Sequence, residues 1–375
     1  MAFELVEEAM HEAIAEGVFP GAVLLVRHGE GFFYLRAFGN RSLVPQVAPM
    51  REDTIFDVAS LTKPLATSVA VMLLAKEGKI RLDDRVARFV PNFSVHGKAQ
   101  VTFRHLLAHC SGLPSWKPYY KEVFAEERRR GRVNFLGTSA AKAFVYQFIE
   151  RERVETEPGT RTAYSDLGFI LLGAVIEQLS GMSLDRFCQE RIFRPLGLRS
   201  TGFVDLALLR ARHLEPITDM IAPTEQCPWR QKLLWGEVHD DNAYAMGGVA
   251  GHAGLFSSAR DIDTLLCCLE DCYHRVGGMI PQRVIREFWS KDPTVPGSTW
   301  CLGWDSPSPQ GSSAGRYFSP ESVGHLGFTG CSVWIDLAER CHVVLLSNRV
   351  HPRRDNDKIK EFRPRLHDLI REALG

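Results

Sequence analysis

Phe56-Asp57-Val58-Ala59-Ser60-Leu61-Thr62-Lys63-Pro64 runs straight into an apolar segment, Leu65 to Ala75, that Gly78 closes. The pattern predicts a helix with Ser60 in its first turn and Lys63, three residues on, sharing its face one turn further along. A serine hydroxyl is a weak nucleophile until a neighbouring base takes its proton, and this spacing brings an amine within reach. An ammonium at a helix N-terminus meets the positive end of the dipole, and burial also disfavours its charge. Both effects are expected to push Lys63 towards the neutral amine. Pro64 is compatible with the position, because first-turn amides have no intrahelical acceptor. The same Ser-x-x-Lys spacing recurs at Ser139-Ala140-Ala141-Lys142. There the helix continues through Gln147, Glu150, Arg151, Glu152 and Arg153, a surface pattern, so Ser139 reads as a cap and Lys142 as solvated.

Strand signals lie at the two ends of the chain. After a first helix ending near Gly17, Gly21 to Arg27 and Gly31 to Ala37 are strand-like runs separated by His28-Gly29-Glu30, a hairpin signal. Ser322 to Gly327, Cys331 to Asp336 and His342 to Ser347 are three more, joined by short turns that favour antiparallel pairing, and a terminal helix from about Asp357 to Ala373 follows. From Leu82 to about residue 230 helical patterns dominate. The expected class is therefore α+β: one antiparallel sheet assembled from both chain ends and flanked by helices, beside an all-α region. The 375 residues read as one domain, with an α/β part at 1–80 and 235–375 and a mainly helical part at 81–234.

Composition excludes several classes. The 45 Lys plus Arg residues balance 45 Asp plus Glu, so no basic excess points to nucleic acid or an anionic membrane. Nine cysteines, an odd number without framework spacing and with Cys267 beside Cys268, fit a reducing compartment better than a disulfide scaffold. Met1 to Glu8 is acidic and amphipathic, unlike a signal peptide, and no segment has the length of a membrane span. A soluble cytoplasmic protein is expected. The sequence carries no signal of oligomeric state.

Three further stretches carry chemistry. Thr102 is placed to cap a short helix bearing His105 and His109, four apart in the manner of a metal pair. A zinc site needs a third ligand and, for hydrolysis, a glutamate beside the first histidine, whereas Leu106 stands there, so both read as packing histidines. Tyr164-Ser165-Asp166 opens an apolar helix from Leu167 to Leu179. Asp166 is either a simple N-cap or a polar contact to substrate or to Lys63, and Tyr164 a proton relay. The glycine-rich stretch from 236 to 256 lacks the Gly-Lys-Ser/Thr of a phosphate loop. His239, Asp240, Asp241 and His252 match no familiar ligand set, so this loop, His252 included, reads as the lining of a substrate pocket. No metal and no cofactor are expected.

Together these residues resemble the serine β-lactamases and penicillin-binding proteins, most closely the class C β-lactamase and esterase branch. Ser60-Leu-Thr-Lys63 is similar to the family's Ser-x-x-Lys element, Tyr164-Ser-Asp166 to Tyr-x-Asn, and His325-Leu-Gly327 to Lys-Thr-Gly, in the family's order. His252-Ala-Gly254 also matches the third motif but precedes a helix, whereas His325 ends a strand that pairs with the next. Thr102 to Pro114, Glu157-Pro-Gly159 and Ala253 to Ser257 resemble further landmarks, and the likeness covers about residues 10 to 350. It implies the β-lactamase/transpeptidase fold, with Ser60 in the groove between the sheet and the helical region. It further implies an acyl-enzyme on Ser60, with Lys63 and Tyr164 moving its proton, the Ser60 and Phe328 amides as oxyanion hole, and Asp166, His325 and Gly327 facing substrate.

Two positions depart from the family pattern: Asp166 stands for asparagine, an anion able to hold Lys63 charged, and His325 stands for lysine. With a reference pKa of about 6.5, a histidine is charged roughly a quarter of the time at pH 7, so attraction for anionic substrates is expected to be weak at neutrality and to grow as pH falls. The reading is a serine hydrolase of small esters, amides or β-lactams, of carboxylesterase, β-lactamase or D-amino peptidase type. The alternative is a protein recognising penicillin or a peptidoglycan fragment that acylates or binds without turnover.

Overall fold

The computed structural model describes residues 3–131, 134–275 and 277–375. Its main sheet is antiparallel and six-stranded, in the order β3 (Ala48–Pro49), β2 (Phe32–Ser42), β1 (Gly21–His28), β11 (Cys341–Ser347), β10 (Ser332–Asp336), β9 (Val323–Leu326). The two chain ends thus meet in one sheet, with Leu24 of β1 opposite both Leu345 and Arg36. Side chains alternate between the faces of a strand, and both faces are used here. Leu24, Val26, Trp334, Val343 and Leu345 pack under α1 (Glu4–Ala15) and α12 (Ile359–Leu374). Val23, Leu25, Val333, Ile335, Val344 and Leu346 face the larger core, which holds the helix after Ser60. A central strand covered on both sides reads as a continuous apolar run, which is why Gly21 to Val26 shows no alternation.

The larger core takes in α2 (Val69–Lys76), α3 (Phe103–Leu107), α4 (Tyr119–Arg130), α5 (Ser139–Arg151), α6 (Asp166–Ser180), α7 (Leu184–Cys188), α8 (Leu206–Ala211), α9 (Asp241–Ala245), α10 (Ala259–His274) and α11 (Gln282–Phe288). The region from 81 to 234 also carries short strands among its helices. β5 (Gly202–Phe203) joins β4 (Phe56–Asp57) and β8 (Leu255–Ser257) in a small sheet ordered β4-β8-β5, and β6 (Gln226–Cys227) pairs with β7 (Lys232–Leu233). Two-residue strands are too short to show a period of two, so pattern reading misses them. The small sheet matters for the site, because it fixes Phe56 and Asp57 against Ser257 and Phe256 just before the nucleophile turn.

The segment after Asp57 is less regular than a single α-helix. A 3₁₀ turn at Ala59–Leu61 passes into a π-helical stretch, Lys63–Ser68, before α2 begins. Pro64 has no amide hydrogen, so the regular bond back to the Ser60 carbonyl cannot form and the winding loosens where the reactive side chains stand. Among the described residues no single helix is long and apolar enough to cross a membrane.

Candidate active site

Lys63 is fully buried, and its ammonium is surrounded by acceptors: Ser60 Oγ at 3.0 Å, the His252 carbonyl at 3.1 Å and Asp166 Oδ1 at 2.7 Å. Burial alone would lower its pKa, but the Asp166 charge and the polar contacts of Asp166 and Tyr164 outweigh it, and the net direction is upward. The neutral amine expected from dipole and burial is therefore corrected: Lys63 rests as an ammonium paired with Asp166. Asp166 is also not the cap of α6. Ser165 is, its hydroxyl accepting from the Gly168 amide, and this frees Asp166 in the first turn to reach Lys63.

Tyr164 lies over the same amine, its ring centroid 4.8 Å from Lys63 Nζ, and its hydroxyl is near enough to feel the Lys63 charge. Burial pushes the phenol pKa up, so at neutrality Tyr164 carries its proton. The ring is held by Trp300 at 5.6 Å and His109 at 4.7 Å. His109 is buried, its pKa driven well below the ordinary value by burial, and Nδ1 accepts the Ser165 amide at 3.0 Å. It is a neutral packing histidine, as read from the sequence, and it anchors the Tyr164 tripeptide. His105 completes the cap of α3 by accepting the Thr102 amide on Nδ1 at 3.3 Å.

β9 brings the third motif to the opposite side. His325 Nδ1 donates to the Leu326 carbonyl at 2.9 Å, and burial followed by the Lys63 charge lowers its pKa to about 3. The expectation of a histidine titrating near neutrality is therefore overturned: His325 stays neutral across the physiological range. With Nδ1 the donor, Nε2 presents a lone pair, buried and unpartnered among the described residues. Gly327 ends the strand against the nucleophile segment, where an added Cβ would stand 2.5 Å from the Val58 carbonyl. Phe328 follows, half exposed, its ring between the His239 imidazole at 5.6 Å and the Arg349 guanidinium at 4.6 Å, with Arg349 Nε donating to the Phe328 carbonyl at 2.8 Å.

His252 departs from its expected role of lining the pocket. Its imidazole is buried and bonded to Asp240 at 2.9 Å, and its carbonyl, rather than its ring, reaches Lys63. His239 turns to another carboxylate, Glu225, at 3.1 Å, so the two histidines do not converge on one centre. Asp263, Cys267 and His342 do have ligand atoms within 4.8 Å of one another, on α10 and β11. Arg27 already grips both Asp263 oxygens at 2.6 and 2.7 Å, and the two ring nitrogens of His342 face Asp263 and Glu270, which makes an ion-pair network rather than a metal cradle. The second Ser-x-x-Lys is also accounted for: Lys142 pairs with Glu177, and Thr138, not Ser139, caps α5.

Sequence reasoning missed Asp57 and Trp300. Asp57 is buried and receives the Ala59 and His239 amides at 2.8 and 2.6 Å; a carboxylate inside an apolar run two residues before a bend was the available signal. Trp300 sits in a loop with no periodic pattern, and nothing local marked it.

Three comparisons bear on this geometry. The Beta-lactamase family profile matches residues 4–364. An Escherichia coli K12 protein provisionally named D-alanyl-D-alanine carboxypeptidase is 31% identical over 359 residues, covering 89% of this chain and 79% of its own length. A Salmonella agona protein of the same name is 30% identical over 342 residues, covering 87% and 76%. Among solved structures, EstCE1, a hydrolase with promiscuous acyltransferase activity, superposes with a TM-score of 0.72 at 22% identity, covering 99% of this chain and 98% of that one. The octameric penicillin-binding protein homologue from Pyrococcus abyssi gives 0.69 at 24% identity, covering 93% and 74%. At these identities the two structures speak to the fold.

Proposed function

Because the chain belongs to the β-lactamase family of serine hydrolases, we propose that it cleaves a neutral ester or amide through an acyl-enzyme on Ser60. The observation that carries this reading is the 3.0 Å contact between Ser60 Oγ and a fully buried Lys63 Nζ, beside a neutral Tyr164. Lys63 must lose a proton before it accepts one from Ser60, and the 2.7 Å pair with Asp166, which holds that proton in place, sets how readily the base forms. The serine oxygen then attacks the carbonyl carbon, and the developing oxyanion is taken up by the Ser60 and Phe328 amides. As the tetrahedral intermediate collapses, Tyr164 returns a proton to the leaving oxygen or nitrogen and is reprotonated from Lys63. Water reverses the sequence to free the acid.

Charge supports the choice of a neutral substrate. Lys63 is neutralised by Asp166, and His325, neutral and presenting an acceptor, offers no cation to a carboxylate on the leaving side. The carboxypeptidase names of the relatives make D-amino-acid peptides the first amides to try, with the leaving carboxylate as the expected handicap. The test is turnover of a p-nitrophenyl ester and a chromogenic cephalosporin side by side, with mass spectrometry after a fluorophosphonate probe. The ester should turn over faster, the adduct should lie on Ser60, and Ser60→Ala should lose both. An adduct that persists in Ser60→Ala ends the proposal.

A further inference from the structure

Asp57 is buried, yet the partners of its carboxylate are main-chain amides: Ala59 N–H on Oδ1 at 2.8 Å and His239 N–H on Oδ2 at 2.6 Å. A buried carboxylate is ordinarily matched by a cation, so two amides held this way mark a geometric task. Ala59 has φ of +48°, a left-handed conformation that an alanine does not choose unaided, and it is the residue that turns the chain into Ser60. The carboxylate restrains that turn from one side. The Asp57 carbonyl works from the other, accepting from Thr329 Oγ1 at 2.7 Å, immediately after Phe328. The second amide on the carboxylate belongs to His239, whose ring lies against Phe328. The three segments that meet on Asp57 are therefore the nucleophile turn, the 236–252 loop and the β9–β10 turn.

We infer that Asp57 is the positioning residue of the oxyanion hole, its carboxylate fixing the Ser60 amide and its carbonyl fixing the Phe328 amide at a set separation. This rests on the reading of Ser60 as nucleophile. The role needs a carboxylate rather than a carboxamide. Two N–H donors require two acceptor oxygens, and an asparagine would set its own NH₂ against one of them.

Asp57→Asn, close in volume, is the test. Removing one oxyanion donor typically costs about 10² to 10³ in kcat, and a displaced donor should cost less, so kcat is expected to fall roughly 10- to 100-fold. KM for a neutral p-nitrophenyl ester should move by less than about threefold, because the ground-state carbonyl gains little from the hole. Affinity for an alkyl boronic acid, whose tetrahedral adduct occupies the hole, should fall with kcat/KM. All rates are taken per site titrated with a fluorophosphonate, so loss of folded enzyme alone leaves them unchanged. Thr329→Val cuts the other arm and should lower kcat and boronate affinity in the same proportion as each other, with Thr329→Ser restoring both. If Asp57→Asn does not fold, the Thr329 pair decides by the same readouts. Values within about twofold of wild type per titrated site, for kcat and for boronate, would overturn the inference. Wild type left unlabelled at Ser60 sinks the underlying mechanism instead, whereas a labelled Ser60 with an unaffected Asp57→Asn sinks the clamp alone.

Discussion

Replacing Asp166 by asparagine should move the pH dependence of the reaction towards acid, because Asp166 is what keeps Lys63 protonated. The two charges stand 2.7 Å apart, with the lysine fully buried. At an effective dielectric of about 20 their gross attraction is roughly 6 kcal/mol, set against the cost of stripping water from the ammonium. Taking one partner from a buried pair costs about 3–5 kcal/mol if the other stays charged. Lys63 has a cheaper course, which is to release its proton. In wild type its pKa is raised, so the reactive amine becomes populated only as pH climbs towards that value, and kcat/KM should rise with pH through the neutral and alkaline range. In Asp166→Asn the rise should come earlier. Each unit by which the pKa falls multiplies the amine fraction at a given lower pH by about ten, equivalent to roughly 1.4 kcal/mol. The plateau should be lower, because the freed amine is a weaker base. The assay is kcat/KM for a neutral p-nitrophenyl ester between pH 5.5 and 9.5 at constant ionic strength, corrected for spontaneous hydrolysis. Superimposable profiles, or an alkaline displacement in the variant, would show that the Lys63–Asp166 pair does not control the base.

His325→Lys should raise kcat/KM for a carboxylate-bearing cephalosporin relative to the neutral ester by about tenfold, the scale of one charge-assisted hydrogen bond. In wild type that ratio should stay flat between pH 6 and 8, since His325 does not titrate there. A ratio that climbs as wild type is taken from pH 8 to 6 would restore a titrating histidine. Gly327→Ala should lose nearly all activity, because its Cβ would stand 2.5 Å from the Val58 carbonyl beside the nucleophile turn; wild-type kcat in that variant refutes the close approach. The network of Arg27, Asp263, His342 and Glu270 should leave a mark on stability rather than rate. Burial opposes the His342 charge but the two carboxylates outweigh it, so its folded pKa is raised, and the stability it gives is fully present below about pH 6.5 and lost as pH rises through the folded value. Asp263, pushed down to about 2 against burial by Arg27 and His342, contributes above about pH 3.9 and loses it towards about pH 2. His342→Gln should therefore flatten the decline of urea-unfolding free energy between pH 6 and 9, and equal slopes in variant and wild type would remove His342 from the account.

What could be read ahead of the structure, and what could not, divides along physical lines. The sheet was legible because β1, β10 and β11 are buried on both faces, and such strands must be apolar end to end whatever surrounds them. The order Ser60, Tyr164, His325 came from the resemblance to the family's three motifs, and local signals placed the elements around them less well, since the sequence offered Asp166 as the cap where Ser165 takes that place. Protonation was only partly legible, because it is a property of pairs, and the one hint of it was Asp166 in the place of asparagine, an anion able to hold Lys63 charged. Lys63 by itself argues for a neutral amine and His325 by itself for a titrating one. Both change in the folded site, where Asp166, more than a hundred positions away in the chain, holds Lys63 charged, and where burial, followed by the Lys63 charge, keeps His325 neutral. The two states are linked but not by one cause: Asp166 holds Lys63 charged, and that charge adds to burial, the larger cause, in keeping His325 neutral. Asp166 therefore acts first on base strength, and burial should keep His325 neutral in any variant of that residue, so base strength should shift there without a matching gain in attraction for a substrate carboxylate.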